Sequence, residues 1–283
     1  MHEQFLLLPA ALRPAVRHLL LLSVAPGAAP VVRTLLPDFH ITLLLNLGPE
    51  ADLWLPSAAG AASGQRLTSP LLTGPLTQPL HYRLPGGARV LAVGFTLAGF
   101  YRLFGVPAGQ LQGTFTDPDA LVPGGGFARL WQQLQDLATP AQLVHAVAAF
   151  CQACLRPAEG AQVELLTQLP QLIRPDYRSS LKSLAATSRL SERTLQLRFQ
   201  KYLGFSAQEL ARFLRFRRVL AAVQQRVLGS SPVDWLALLE QHGYYDQPHL
   251  IHDFAHFLRQ SPGKVADLLA SDTICVTTTE LLR

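Results

Sequence analysis

The chain has 283 residues, of which 49% are hydrophobic and 15% are charged, and its formal net charge at pH 7 is +5. This length predicts two domains with a core each, and the apolar content excludes a disordered chain. The four leucines at 19–22 are too few to span a bilayer, and prolines and arginines interrupt the apolar start. Because no signal-peptide layout is present, we expect a cytoplasmic protein with no membrane partner.

Short strands are predicted along the first third of the chain. Residues 5–24 predict a turn, a short helix and entry into a strand. Apolar runs bounded by turn residues then lie at 31–36, 41–47, 52–55, 71–74, 79–84 and 89–96. The run at 41–47 is nearly continuous, as in a strand buried on both faces. Residues 57–64 are small and predict a surface loop. Strands without long helices between them are typical of an antiparallel sheet or a small barrel.

The pattern becomes helical at residue 98, with one short helix predicted over 98–104. Two amphipathic helices follow at 127–137 and 143–151, and Thr139 is placed to cap the second. This helical hairpin would pack on the sheet or on a second copy of the chain. Residues 1–156 are therefore predicted to form one domain.

The cysteines are few. Cys151 and Cys154 form a C-x-x-C pair inside the second helix of the hairpin, and Cys275 is the third cysteine. Without a second pair, a structural zinc site is not expected. We predict buried core thiols, and a redox switch is the alternative.

After the linker at 156–160, the chain predicts two short helices across a tight turn. Residues 181–185 carry the apolar positions of the first helix, and Ser191 can cap the second. Leu195 and Phe199 face inward, one turn apart. Such a pair makes a helix-turn-helix, whose second helix fits a DNA major groove.

A second unit repeats this plan after a long helical pattern at 207–227. Ser231 and Pro232 predict the start of its first helix. Its buried face would consist of Trp235, Leu236, Leu238 and Leu239. Asp246 or Gln247 begins the second helix, and Ser261 with Pro262 caps a final one.

The two units resemble the DNA-binding domain of the AraC/XylS family of transcription regulators. The matching residues of the first unit and the long helix are Leu184, Ala185, Ser191, Arg193, Leu195, Phe199, Gly204, Ser206, Arg217 and Ala221. Those of the second unit are Gly243, Tyr244, Asp246, Gln247, His249, Phe254, Phe257, Ser261 and Pro262. The resemblance implies an all-α domain over 157–270, in which a long helix joins two helix-turn-helix units, followed by a loose tail at 271–283.

The sequence departs from the family pattern at a few positions. Arg189 and Arg259 stand where the family usually has glycine, and Leu197 replaces a frequent arginine. Leu239 replaces a small residue. The N-terminal half resembles, more weakly, a sensor-type domain found ahead of such DNA-binding domains, which implies a β-rich regulatory role.

Recognition residues follow from helical spacing and from the family pattern. The residues expected to face DNA bases are Arg193, Gln196 and Leu197 on the first recognition helix and Gln247, His249 and His252 on the second. Those expected to contact phosphate are Thr194, Arg198, Lys201, Arg215 and Arg218. Arg217 is expected to brace the long helix against the first unit. The alternative is that these are ordinary solvated helix residues.

The charge distribution favours the first unit. Residues 176–228 contain eleven basic and three acidic residues, whereas residues 229–269 contain two and five. Because the DNA backbone is an anion, we expect the first unit to dominate affinity.

Other chemistry is not predicted. His249, His252 and His256 share one side of a helix, but no cysteine completes a metal site, and no cofactor is expected. His40 and His81 stand alone in the sequence, so no catalytic residue is assigned. The polar and aromatic residues of the apolar domain, read as ordinary core or surface residues, are Asp38, His40, Trp54, Tyr82, Arg83 and Tyr101. The position of an effector site is left open.

The sequence therefore predicts an α+β chain, with a small antiparallel β domain carrying a helical hairpin and an all-α domain of two helix-turn-helix units. We expect it to bind double-stranded DNA and regulate transcription, modulated by a small-molecule effector or by a homodimer, with RNA polymerase as a partner if it activates. One alternative is a ligand-independent regulator whose N-terminal domain only dimerises. Another is an enzyme with an appended DNA-binding module, marked by a deep N-terminal pocket with converging ionisable groups.

Overall fold

The computed structural model describes residues 1–38, 40–55, 63–111, 115–122, 124–157, 163, 166–167, 185, 191–271 and 274–275. A β domain with a helical hairpin precedes a helical domain, so the predicted α+β class is confirmed. Within the described residues, no helix is long and apolar enough to cross a membrane.

The strands of the N-terminal domain form two sheets. They are β1 (His2–Leu6), β2 (Val16–Ser23), β3 (Val31–Leu35), β4 (Ile41–Asn46), β5 (Ala51–Leu55), β6 (Ser63–Leu67), β7 (Leu71–Thr73), β8 (Leu80–Leu84), β9 (Arg89–Phe95), β10 (Phe115–Thr116) and β11 (Ile274–Cys275). One sheet has the order β1-β2-β9-β4-β7-β10 and the other β11-β3-β8-β5-β6. All pairings are antiparallel except that of β11 with β3.

Strand β4 is apolar at four of its six positions, and its surroundings show why. Ile41, Leu43 and Leu45 are buried in the cluster that includes the helical hairpin. Leu44 points the other way and packs in the cluster between the sheets. Alternate residues of a strand face opposite sides, so a strand covered on both sides is apolar at every position. Thr42 and Leu44 are only half-buried, so the prediction of a strand buried on both faces is confirmed for one face and only partly for the other.

Helices cover the outer face of the first sheet. They are α1 (Leu97–Phe104), α2 (Pro118–Leu121), α3 (Phe127–Gln135) and α4 (Pro140–Cys154). Thr139 accepts from the backbone N–H of Gln142 and completes a capping box, as its position predicts. The Trp131 indole N–H donates to the Asn46 carbonyl at 2.5 Å, which ties α3 to β4. The hairpin therefore packs on its own sheet, and Cys151 is buried there as a core thiol.

The C-terminal domain contains α5 (Glu192–Leu203), α6 (Ala207–Leu228), α7 (Trp235–His242), α8 (Gln247–Leu258) and α9 (Pro262–Ala270). The predicted caps Ser191, Asp246 and Ser261 each accept a backbone N–H from the first turn of their helix. Helix α5 ends at Gly204 in the left-handed conformation. The predicted helix at 181–185 and its turn lie outside the described residues, except that Ala185 is helical and buried.

Two predictions about α7 are wrong. The helix begins at Trp235 rather than at Pro232, and its cap is Asp234, whose carboxylate accepts the Ala237 N–H at 3.0 Å. An aspartate next to the first helical residue caps as well as a serine, so the earlier serine is not needed. Leu236 is 68% exposed, because Trp235, Leu238 and Leu239 already occupy the inward face of a short helix.

The structure also differs from the predictions for both ends of the chain and for one loop. Ser63 and Gly64, predicted as loop, begin β6, and β1 was not predicted at all. Residues 274–275 are not a loose tail, since they pair with β3 in parallel and Ile274 is buried. The rest of the predicted tail after 275 lies outside the described residues.

The two domains touch at several places. Arg217 of α6 forms an ion pair with Asp38 of the β domain at 3.0 Å, rather than bracing α6 against the first unit. The Tyr101 ring of α1 lies edge-on to the Tyr202 ring of α5, with centroids 6.0 Å apart. A Cβ at Gly109 would lie 2.6 Å from the Gly204 nitrogen, so only glycine permits this approach. The β domain and the helical domain are therefore in direct contact.

Candidate nucleic-acid interface and N-terminal cavity

Helix α5 presents one free polar face. Arg193, Gln196 and Leu197 are all exposed, and Leu197 is 61% exposed. On the opposite side of the helix, Leu195 and Phe199 are buried, with 0% and 3% of their surface exposed. Within the described part of the chain, neither Arg193 nor Gln196 forms a hydrogen bond or an ion pair. The structure thus brings the three predicted base-facing residues together on one accessible surface.

Helix α8 presents a face that is partly engaged. Gln247 and His252 are exposed, and His249 is half-buried. The His249 ring nitrogen Nε2 lies 2.9 Å from an Arg215 nitrogen, and His252 Nδ1 lies 2.9 Å from an Arg212 nitrogen. Arginine only donates, so each histidine accepts there and carries its proton on the other ring nitrogen. Each ring therefore keeps one N–H donor.

A buried carboxylate anchors α8 to the long helix α6. Asp253 is 0% exposed and accepts from Arg212 Nε at 2.7 Å, from an Arg215 nitrogen at 3.4 Å and from the Tyr244 hydroxyl at 2.8 Å. The Arg215 guanidinium also lies 4.7 Å from the Tyr244 ring centroid. Burial, and next the charge of Asp253, raise the pKa of Tyr244. This cluster therefore holds α8 against the long helix α6.

The predicted phosphate-contact residues have different surroundings. The Thr194 hydroxyl bonds the Ser191 hydroxyl at 2.8 Å beside the start of α5. Lys201 is exposed, with its ammonium 5.4 Å from the Tyr202 ring centroid. Arg198 and Arg218 are half-exposed. Arg215 is the exception, because its guanidinium already donates to Asp253 and His249.

The histidines of α8 do not form a metal site in the described ranges. No group of three or more histidine, cysteine or acidic residues there has a geometry that could hold a metal ion. The rings of His252 and His256 stack, with centroids 6.4 Å apart. The Nδ1 atom of His252 accepts a hydrogen bond from Arg212 of α6.

A cavity of about 130 Å³ lies between the two sheets of the N-terminal domain. Leucine is the most frequent residue in its walls, and the leucines come mainly from strands of both sheets. The ionisable side chains that line it are Glu3, His18, Asp38, His40 and Tyr82. Threonines Thr42 and Thr73 add two hydroxyls.

Asp38 is the charged centre of this cavity. It is buried, accepts a very short hydrogen bond from His40 and pairs with Arg217 of α6. Burial alone would raise the pKa of Asp38, but His40 and Arg217, with Arg17 nearby, hold it well below its ordinary value. The carboxylate is therefore ionised, and it joins the cavity wall to the helical domain.

His18 has no such partner. It is 7% exposed, and its Nδ1 is buried without a hydrogen bond to any described residue. Its ring lies over Gly94 of the neighbouring strand, where a Cβ would come within 2.3 Å of the ring. Burial, and next the nearby His40, lower the pKa of His18 to about 4. The imidazole is therefore neutral near pH 7.

The cavity and the two carboxylate clusters were not found from the sequence. In the sequence, Asp38, His40 and Tyr82 stand out only as polar residues of an apolar domain, and nothing there distinguishes Asp253. A histidine inside an otherwise apolar strand, directly opposite a glycine in the next strand, is a signal that could have been used for His18.

Comparisons with known proteins give a family model and several solved structures. The model of a domain of unknown function (DUF6597) matches residues 7–117, the β domain. No curated protein matches the chain. A structure of ToxT from Vibrio cholerae is 8% identical, with a TM-score of 0.45, and the match covers 88% of this chain and 97% of that one.

Two further solved structures are similar. ToxT from Vibrio cholerae O395 bound to (E)-4-(8-methylnaphthalen-1-yl)but-3-enoic acid is 9% identical, with a TM-score of 0.46, over 95% of this chain and 100% of that one. The AraC-like transcriptional activator CuxR is 14% identical, with a TM-score of 0.24, over 72% and 73% of the two chains.

Proposed function

We propose that this chain is a sequence-specific DNA-binding transcription regulator of the AraC/XylS type, with a regulatory domain at 1–156 and a DNA-binding domain at 157–270. The observation that carries the proposal is the pair α5 and α8. Both are capped helices of 12 residues with an exposed polar face, and the long helix α6 lies between them in the chain. Helices of this kind read the major groove from their exposed face.

The first unit supplies most of the base recognition in this proposal. Arg193 can pair with guanine and Gln196 with adenine, in both cases through two hydrogen bonds. Leu197 offers an apolar contact to a thymine methyl group. These side chains have no competing hydrogen bond in the described part of the chain, so binding DNA would break no hydrogen bond there.

The second unit contributes fewer base contacts. His249 and His252 each keep one N–H for a base acceptor while the other nitrogen accepts from arginine. Gln247 is exposed at the first position of α8. The neighbouring Pro248 and Ile251 have no hydrogen-bonding side chain. Recognition here would therefore be weaker and partly apolar.

Phosphate contacts would position both units. We assign them to Thr194, Arg198, Lys201 and Arg218. Arg215 is assigned as well, although part of its guanidinium is already bonded to Asp253. Each phosphate neutralised on duplex DNA lowers the slope of log K against log salt by about 0.9. Arg215 differs from the others, because its removal should also weaken the packing of α8.

The N-terminal domain would modulate DNA binding through its cavity. A molecule between the sheets would touch the residues around Asp38, whose carboxylate is bonded to Arg217 on α6. Modulation requires that the molecule bind one state more tightly than another. If the domain only dimerised, no small molecule would change the stability of the chain.

The enzyme alternative has one observation in its favour, since ionisable groups do converge on the cavity. However, none of the described lining residues is a serine, a cysteine or a lysine that could serve as the usual nucleophile. Asp38 already accepts from His40 and Arg217, so it is not free to act as a base. These contacts favour binding over catalysis.

The test is selection of binding sites from random duplex DNA by the full-length chain. A bipartite motif is expected. Arg193→Ala and Gln196→Ala should relax one part, each at a cost of about 1–3 kcal/mol, because a paired base contact is lost. His249→Ala and His252→Ala should relax the other part by less.

Arg129→Ala is the matched control, since it removes an exposed arginine from α3, away from both recognition helices. It should leave the motif and the affinity unchanged. Salt-steep binding without any enriched sequence, or a motif that none of the four alanine variants alters, would refute the proposal.

A further inference from the structure

The cavity between the sheets carries information about the chemistry of its ligand. Its volume of about 130 Å³ is close to the roughly 150 Å³ of an apolar protein cavity that accepts benzene. The leucine walls offer burial to an apolar molecule of that size. The size of the cavity does not specify the polar group of the ligand. That group has to be inferred from the side chains that line the cavity.

We propose that this cavity binds an uncharged, mostly apolar molecule, about the size of a substituted benzene, with one hydrogen-bonding group that pairs with the His18 ring. The role of this cavity as an effector site rests on the proposed function. The binding of the molecule itself does not depend on that function.

The hydrogen-bonding position is His18. Its Nδ1 is buried without a partner among the described residues, while the side chain lines the cavity. A buried polar atom without a partner destabilises the fold, and a hydroxyl in the cavity would remove that cost. Because the close approach to Gly94 leaves the ring little space on that side, the ring is held in place before the ligand arrives.

The residues that line the cavity disfavour an anion. Glu3 and Asp38 are among them, and no lysine or arginine is found among the described ones. The nearby Arg217 is already paired with Asp38, so a ligand carboxylate would have to share that cation in a poorly solvated space. A cation is also disfavoured, since Asp38 is already paired with Arg217 and bonded to His40.

The experiment compares molecules of matched shape on the full-length chain at pH 7. The probes are 4-ethylphenol with 4-ethylbenzoate, and 1-heptanol with heptanoate, and ethylbenzene is the probe without a polar group. Calorimetric titration and the thermal unfolding midpoint report binding. We expect at least one uncharged polar probe to bind ten-fold or more tightly than its carboxylate partner, and more tightly than ethylbenzene.

The variant His18→Phe separates the polar contact from simple filling of space. It keeps a ring of similar size but has no ring nitrogen, so 4-ethylphenol and ethylbenzene should bind it equally well. Ala92→Phe fills the cavity from β9 and should abolish binding of every probe, and this result shows that binding occurs there.

The inference is overturned if neither uncharged polar probe binds, if a carboxylate binds as tightly as its partner, or if His18→Phe leaves the preference for 4-ethylphenol unchanged. Affinity for the selected duplex is measured on the same preparations. Probe binding without sequence-specific DNA binding refutes the proposed function alone, and the reverse result refutes this inference alone.

Discussion

His18 makes the stability of the N-terminal domain sensitive to acid. Its folded pKa of about 4 lies below the ordinary 6.5, mainly because of burial. Between these two pH values the unfolded chain binds a proton that the folded chain does not, so stability falls as the pH drops. The loss attributable to His18 should be roughly 3 kcal/mol at pH 4, and full stability should return above pH ~6.5.

Urea unfolding at pH 7, 5.5 and 4.5 measures this effect. The variant His18→Phe should lose less stability over that range, because it carries no proton in either state. His40, whose pKa burial also lowers, remains in the variant and keeps part of the acid sensitivity. Exposed His2→Gln is the control and should behave as the parent chain does. An unchanged acid loss in His18→Phe would contradict the assignment.

Arg259 is strained at the end of α8. Its φ of 56° is in the left-handed region, at a position where the AraC/XylS resemblance implies glycine. Arg259→Gly should raise the free energy of unfolding by about 0.5–1 kcal/mol, since it removes a left-handed cost of roughly 1–2 kcal/mol but adds freedom to the unfolded chain. Arg259→Ala keeps the strain and controls for loss of the side chain. Equal thermal midpoints for the two variants would rule out the backbone explanation.

At the scale of elements, α8 depends on the carboxylate of Asp253. Asp253→Asn should destabilise the second unit by about 3 kcal/mol or more, because Arg212 and Arg215 lose their buried counter-charge. Tyr244→Phe removes one hydrogen bond and should cost only about 1 kcal/mol. Chemical unfolding gives both values. In site selection, Asp253→Asn should blur the α8 part of the motif and spare the α5 part. A variant as stable as the parent would show that the cluster is not needed for packing.

The elements that could be predicted are those specified locally. Ser191, Asp246 and Ser261 cap their helices because a cap needs only its own side chain and the next turn. The strand at 41–47 was recognisable because burial on both faces removes the alternation. The start of α7 was misplaced because Ser231 and Asp234 both satisfy the local rule, and only the packing of Trp235 and Leu238 decides between them.

The candidate sites could be predicted only in part, for a related reason. The free face of α5 follows from helical spacing and from the inward positions Leu195 and Phe199. The partners of Arg215 and Arg217 do not follow from spacing, because Asp253 and Asp38 are far away in the sequence. The cavity depends on the separation of two sheets, which no single strand encodes.

At the scale of the whole molecule, the ion pair between Asp38 and Arg217 should carry the coupling between the two domains. If a cavity ligand changes DNA affinity, the factor is expected to be about 5–150-fold in the parent chain. Arg217→Met should bring this ratio of DNA affinities close to one, because the cavity wall then has no charged contact with α6. Arg226→Met, on the same helix, is the control. Duplex affinity with and without 4-ethylphenol measures the factor, and an unchanged factor in Arg217→Met would mean that the coupling takes another route.

The pairing of β11 with β3 also constrains when the protein can become complete. The paired residues are separated by about 240 positions, and helices α5 to α9 lie between them. At about 5–20 residues per second, a ribosome needs on the order of 10–50 s to pass from one to the other. During that interval β3 is an open sheet edge on a nascent chain, which is a template for wrong pairing. The last described strand to be synthesised therefore covers this edge of the β domain, and the edge stays open until the chain is translated as far as residue 275.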